Sequence, residues 1–399
     1  MTTNHEIKNL NIPGEAKVIL QSLSKIEFGS IEIISPEGMH FKYVGKNPGP
    51  SSDITVHNWN VFSEILNKSD IGLAETYINN LWTSHTIDQL IELAILNESV
   101  LSKAFIGNLH KIIFYRLKHE ARENTKSGSK SNIKAHYDLG NNFYSLWLDN
   151  TMTYSSALFT NGIEELSLAQ SNKYQSMLDL VGAKPGDHIV EIGCGWGGFL
   201  EHAAKKKIKV TGITISDEQF QFAKDRIERL NLQEFASVQI CDYRDLEGQF
   251  DHAVSIEMIE AVGEKYWDSY FSLFKRVLKP GGNFAIQAIT MCDKNFESYR
   301  KGTDFIQQYV FPGGMLLSPK TIDRMLEKHQ YQKLDQIYFG KDYAKTLNFW
   351  FNSFNQELDK VKAFGFDDQF VRLWNFYLKY CEGAFNSKRI DVTQVVAKV

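Results

Sequence analysis

The chain has 399 residues, a length that predicts two to three domains at roughly 150 residues each and excludes a peptide or a single small module. Hydrophobic residues make up 43%, charged residues 23%, and there are 8 prolines, which excludes a disordered, collagen-like or low-complexity chain. With 44 Lys and Arg against 48 Asp and Glu the net charge is −4, so no global field favours nucleic acid, and any anionic partner has to meet a local patch.

The opening MTTNHEIKNL lacks a basic head followed by an apolar run, and the longest apolar stretches, such as Ile87 to Leu96, are too short to span a bilayer. A soluble or peripheral protein is expected. Ile31 to Ser35 and Met39 to Val44 flank Pro36-Glu37-Gly38, two short alternating runs about a turn that predict a hairpin. Phe62, Ile65 and Leu66, then Ala74, Tyr77, Ile78 and Leu81, then Ile87, Leu90, Ile91, Ala94 and Ile95 recur at helical spacing. Residues 1–121 therefore read as a small α+β domain. Arg122 to Asn132 is polar and basic without apolar periodicity, so 122–133 reads as a linker or mobile loop and 134–399 as the second domain.

Beyond the linker, strand-like and helical runs alternate. His188 to Ile192, Lys209 to Ile213, Ser237 to Cys241, Asp251 to Ile256 and Asn283 to Ile289 read as strands. Helices around Phe199 to Lys205, Asp217 to Leu230 and Tyr266 to Val277 separate them, a pattern that predicts a doubly wound parallel sheet. From Phe339 onward aromatic density rises in a mostly helical setting. Cys194, Cys241, Cys292 and Cys381 lie far apart without paired spacing, which predicts no metal site, no dense disulfide framework and a reducing cytoplasm.

Val190 to Gly198 follows a strand and opens a helix. Its glycines, Gly193, Gly195, Gly197 and Gly198, let backbone approach a ligand and leave amides facing it. The spacing also satisfies the dinucleotide fingerprint, which keeps an NAD-linked oxidoreductase open. Glu191, two residues before the first glycine, would repel a pyrophosphate but suits the ammonium and sulfonium of S-adenosyl-L-methionine. Thr214 to Gln219, at the end of the second strand, offers polar contacts to a ribose or an amino-acid end, and Ser216 with Gln219 is also arranged as a capping box. Asp242, in Cys241-Asp242-Tyr243-Arg244, is either an acceptor for an adenine amino group or a loop acid.

Several separate motifs carry a resemblance. His136-Tyr137-Asp138-Leu139-Gly140-Asn141, Met152 to Ala157, Glu191 to Gly198, Gly212 to Ser216 with Gln219, and Ser255 to Gly263 are similar to those of the cyclopropane-fatty-acid synthase family, including its mycolic acid cyclopropane synthase relatives. Tyr309 to Gly314, Asp342-Tyr343 with Thr346-Leu347, and Gly383 to Phe385 complete the set, from about residue 134 to the C-terminus. The resemblance implies an α/β fold: a class I S-adenosylmethionine-dependent methyltransferase with a Rossmann-like doubly wound sheet and a small α+β N-terminal domain. It implies transfer of a methylene group to the cis double bond of unsaturated acyl chains in membrane phospholipids, through a carbocation deprotonated by bound bicarbonate. The aromatic-rich C-terminal half would supply the dry acyl pocket.

The resemblance also implies roles for residues. Cofactor contacts fall to Tyr154, Ser155, Glu191, Gly193, Cys194, Gly195, Gly197, Thr214, Ser216, Gln219, Asp242, Tyr243 and Arg244. The bicarbonate site falls to Ser156, Glu260, Gln287, the backbone of Ile289, and Tyr343, with His136 either catalytic or an anchoring hydrogen-bond residue. Glu260 sits among Ile256, Met258, Ile259, Ala261 and Val262, where an unpartnered carboxylate is costly and an occupied polar site is expected. Ser156 and Gln287 stand where the family commonly has cysteine and histidine. That departure keeps open a fatty acyl methyltransferase giving methyl- or methylene-branched chains; a non-catalytic lipid-binding protein is a further alternative. The expected partners are phospholipid acyl chains, an anionic membrane met by the basic run from Lys103 to Lys134, and a second copy in a homodimer, with no nucleic acid. The expected location is cytoplasmic, at the inner face of the membrane.

Overall fold

The computed structural model of the chain describes residues 4–102, 124–125, 128–129, 139–162 and 164–399. His136 and the basic residues between Lys103 and Lys134 lie outside the described residues. Contacts divide the chain into two units, one of Met1–Lys118, Lys301–Val310 and Leu358–Arg389, the other of His119–Arg300, Phe311–Glu357 and Ile390–Val399.

In the first unit, β1 (Phe28–Ile34), β2 (His40–Val44), β3 (Asn47–Val56) and β4 (Trp82–Thr83) form a sheet of order β2-β1-β3-β4. The expected hairpin is present: β1 and β2 pair antiparallel with Ile33 opposite Phe41. Ser35 Oγ accepts the amides of Glu37 and Met39 in the turn. Alternate residues of β1, Ile31 and Ile33, are buried, and the helix Ile87–Leu96 lies across β1 and β3.

Residues 134–399, expected as one domain, are divided between the two units, with Lys301–Val310 and Leu358–Arg389 grouping with the N-terminal residues. Phe376, from the helix Asp368–Asn386, packs against Tyr77, Trp82 and Phe305, with ring centroids 5.6, 6.3 and 5.0 Å away. Burying aromatic area of this kind stabilises by about 2 kcal/mol per side chain, so these distant segments fold with the N-terminal residues. Phe376 and Tyr380 belong to that core, whereas Trp350 and Phe354 pack in the second unit against Trp147 and Phe143. The C-terminal aromatics therefore do not form one pocket wall.

The second unit is built on β5 (His188–Ile192), β6 (Lys209–Thr214), β7 (Ala236–Ile240), β8 (Phe250–Ile256), β9 (Leu278–Met291), β10 (Gln332–Tyr338) and β11 (Ile390–Lys398), in the order β10-β11-β9-β8-β5-β6-β7. The five expected strands pair in parallel, but β11 inserts antiparallel beside β9, and β10 pairs antiparallel with β11. The sheet is thus mixed rather than wholly parallel. Alternate residues feed two cores: Val190, Ile192, Phe284 and Ile286 pack on one face, Ile189, Val254 and Ala285 on the other. Strand order reverses between β5 and β8, which opens a crevice at their carboxyl ends. Within the expected linker, the buried Asn124 side chain donates to the carbonyl of Gly313 at 2.8 Å, and its own backbone carbonyl accepts from the Arg244 guanidinium at 3.2 Å.

Candidate active site

The loop after β5 enters the helix Gly198–Ala204. Gly195 adopts φ +50°, and a Cβ placed there would meet nothing within 4 Å. Gly193 is enclosed: a Cβ would lie 2.7 Å from Met258 Cγ. The turn is therefore fixed on its inner side and open at Gly195, a cradle that a bound group would fill. Glu191, on β5, is 3% exposed. Its Oε2 is buried with no hydrogen-bond partner among the described residues. Burial pushes its carboxyl up to about 8, against the pull of Lys173 and Arg226. An acid so placed fits a cationic group, as S-adenosylmethionine requires.

The other expected cofactor residues take these positions. Ser216 Oγ accepts the Gln219 amide and caps the helix Asp217–Arg229, while Thr214 Oγ1 donates to Gln219 Oε1 at 2.9 Å. Asp242 accepts two bonds from the Arg244 guanidinium, at 2.6 and 2.8 Å, so it is first of all the partner of Arg244. Tyr243 is buried, and Arg244 lies over its ring and that of Tyr266. Cys194 is buried, which pushes its thiol well above the usual range. Tyr154 packs against Tyr144, Trp147 and Trp350, with centroids 5.3 to 5.5 Å apart.

At the end of β8 the structure brings the expected bicarbonate residues together around a carboxylate the sequence analysis did not single out, Glu257. Its φ of +48° is a left-handed conformation that a non-glycine residue adopts at a cost. Glu257 Oε1 accepts the Ser156 amide and the Gln287 side-chain amide, each at 2.8 Å. Tyr343 also hydrogen-bonds to it. Burial raises its pKa, and these donors together with Lys173 oppose the rise. Three residues on, Glu260 Oε1 accepts the Ile289 amide at 2.5 Å, whereas Oε2 is buried and has no partner among the described residues. Burial and the neighbouring Glu257 push Glu260 up to about 8. Burial thus raises both neighbouring acids, Glu257 against several donors and a cation, and Glu260 against backbone amides alone.

Ser156 and Gln287 are both engaged with neighbouring protein groups. The Ser156 hydroxyl donates to the Ala157 carbonyl at 3.0 Å. Gln287 gives its amide to Glu257 and receives that of Gln394 at 2.9 Å. The Ser156 backbone amide and the Gln287 side-chain amide together hold Glu257 Oε1. A second residue missed from the sequence is Lys173, fully buried on the helix Leu166–Val181. Its signal was legible: it shares a helical face with Leu166, Ala169, Met177 and Val181, where a lysine is out of place.

Residues 124–395 match the model of the mycolic acid cyclopropane synthetase family. The chain belongs to this family. It is 36% identical to the tuberculostearic acid methyltransferase of Mycobacterium tuberculosis, over 81% of this chain and 78% of that protein. It is 33% identical to the cyclopropane-fatty-acyl-phospholipid synthase of Escherichia coli, over 88% of each. Its fold matches the crystal structure of a mycolic acid cyclopropane synthase complexed with SAH and CTAB, with a TM-score of 0.63 and 28% identity, covering 68% of this chain and 98% of that one. The chain is an S-adenosylmethionine-dependent methyltransferase of this family, with the class I fold. Among the described residues no helix is long and apolar enough to cross a membrane.

Proposed function

We propose that this methyltransferase acts on the cis double bond of unsaturated acyl chains in membrane phospholipids and closes a cyclopropane ring. The observation that carries this reading is Glu260: a buried carboxyl, one oxygen held by the Ile289 amide and the other without a partner among the described residues, three residues from an acid that repels its ionisation. S-Adenosylmethionine supplies an electrophilic methyl on a sulfonium, and bicarbonate supplies a base that need not be a side chain.

Glu191 and the turn at Gly195 would hold the first. The Oε2 of a neutral Glu260 would donate a hydrogen bond to the second without placing two anions together. Tyr154, Trp147 and Trp350 pack together, and Trp350 lies edge-on to Tyr343 at 5.9 Å; aromatic rings in this region would exclude water and stabilise positive charge on the acyl chain. Contact with anionic lipid through the basic run before residue 134, and pairing with a second copy, belong to the same proposal and rest on the sequence.

A second reading is a fatty acyl methyltransferase giving branched chains. It is favoured by the engagement of Gln287 with Glu257 and Gln394, which removes one donor from any bound anion. The deciding experiment incubates the protein with unsaturated phospholipid vesicles and methyl-labelled S-adenosylmethionine, with and without bicarbonate, followed by proton NMR of the released fatty acids. A ring methylene signal that depends on bicarbonate supports the first reading. Label in a branched or methylene chain replaces it with the second.

A further inference from the structure

Lys173 is used neither by the cofactor turn nor by the acyl chemistry described above. It is 0% exposed, and a lysine is rarely buried without carboxylates to receive its charge. Its ammonium donates to Ser155 Oγ at 2.6 Å and lies 4.3 Å from the centroid of the Tyr174 ring. Gln170, one turn earlier on the same helix, donates to the Ser155 carbonyl at 3.0 Å. The next residue, Ser156, gives its amide to Glu257. One helix face thus clamps the segment that supports Glu257.

The acids around this ammonium come from three different elements: Glu191 from β5, Glu257 from the end of β8, and Asp149 from the segment after the helix Asn141–Tyr144. Asp149 is already engaged with Thr151, whose amide and hydroxyl both donate to its Oδ2. Glu191 faces two cations, Lys173 and Arg226, and Arg226 is itself paired with Glu201 at 2.5 Å. Lys173 is therefore the cation shared by the cofactor acid and the acid at the reacting end.

We propose that Lys173 is a positioning residue: its buried ammonium holds Ser155, whose neighbour Ser156 gives its amide to Glu257, and the same ammonium is the counter-charge that eases ionisation of both Glu257 and Glu191, so that cofactor binding and the reacting end depend on one buried amine. Burial works against every member of this group, lowering the ammonium toward about 7 and raising the acids, while their mutual attraction opposes both shifts. Without the ammonium, Glu191 would ionise only at higher pH and would hold a cationic ligand more weakly below it. The proposal rests on the methyltransferase assignment and not on the identity of the acyl product.

The test measures S-adenosylhomocysteine binding by calorimetry from pH 6 to 9 for the full chain, Lys173→Met, Glu191→Gln and the double variant. Lys173→Met should bind at least tenfold more weakly at pH 7, and its affinity should still be rising at pH 9, where that of the unaltered protein begins to level off. A pH profile of unchanged shape overturns the proposal. Thermal melts of the same four proteins give a second readout. Lys173→Met leaves a buried acid without its cation, so adding Glu191→Gln should recover part of the lost melting temperature. Strictly additive losses would make Lys173 a packing residue and overturn the proposal as well.

Discussion

Gln394, on β11, donates its amide to the side-chain carbonyl of Gln287 on β9 across 2.9 Å, and Gln287 passes its own amide to Glu257 at 2.8 Å. Ser176 Oγ closes the far end by donating to Gln394 Oε1 at 2.5 Å. Both glutamines are fully buried, so each bond replaces water that cannot enter. The antiparallel strand therefore sets the orientation of an acid at the end of a parallel one.

Gln394→Leu should break this chain. Leaving Gln287 Oε1 unmatched in the interior costs about 1–3 kcal/mol, visible as a lower denaturant midpoint. Turnover should fall because Glu257 loses an oriented donor, while S-adenosylhomocysteine binding stays close to that of the unaltered protein. A variant with full turnover would show that Gln287 keeps its orientation without help.

Glu260→Gln preserves shape but removes the proton that Oε2 would donate as a neutral acid. Turnover should fall by about 100-fold or more, with cofactor affinity nearly unchanged. Equal loss of both, in a calorimetric titration beside a label-transfer assay, would assign Glu260 to the scaffold.

Gly195→Val should abolish cofactor binding with a limited effect on folding. The space around a Cβ there is open, so the folding cost is the left-handed backbone of a branched residue, about 1–3 kcal/mol. Retained S-adenosylhomocysteine affinity in a folded variant would place the cofactor elsewhere.

The buried acids give stability a definite slope with pH. Glu260 is held at about 8 against an ordinary 4.5, so between these values the folded chain binds more protons than the unfolded one, and stability falls as pH rises from about 4.5 to about 8. Glu191 contributes with the same sign. Melting temperatures from pH 5 to 8 should therefore decline less steeply for Glu260→Gln than for the unaltered protein. Parallel curves would mean that Glu260 is ionised throughout.

The local chemistry of the chain was written in its order. Alternating β-rich runs and helical spacing placed β5 to β9 within a few residues of where they lie. The Gly193 to Gly198 turn, with Glu191 behind it, pointed to the cofactor before any fold was known, because backbone freedom and charge are properties of the residues themselves. Glu260 stood out as an acid in an apolar stretch for the same reason.

What only the tertiary structure decided depends on contacts between residues far apart in the chain. β10 reads as a polar segment, Gln332 to Tyr338, and becomes a strand by pairing with β11. Phe376, in the aromatic-rich C-terminal stretch, has its aromatic area buried against Tyr77 and Trp82, some 300 residues earlier. Lys173, Glu257, Gln287 and Gln394 come from four elements, and only burial, by removing water as the alternative partner, turns them into one connected group of charges and amides.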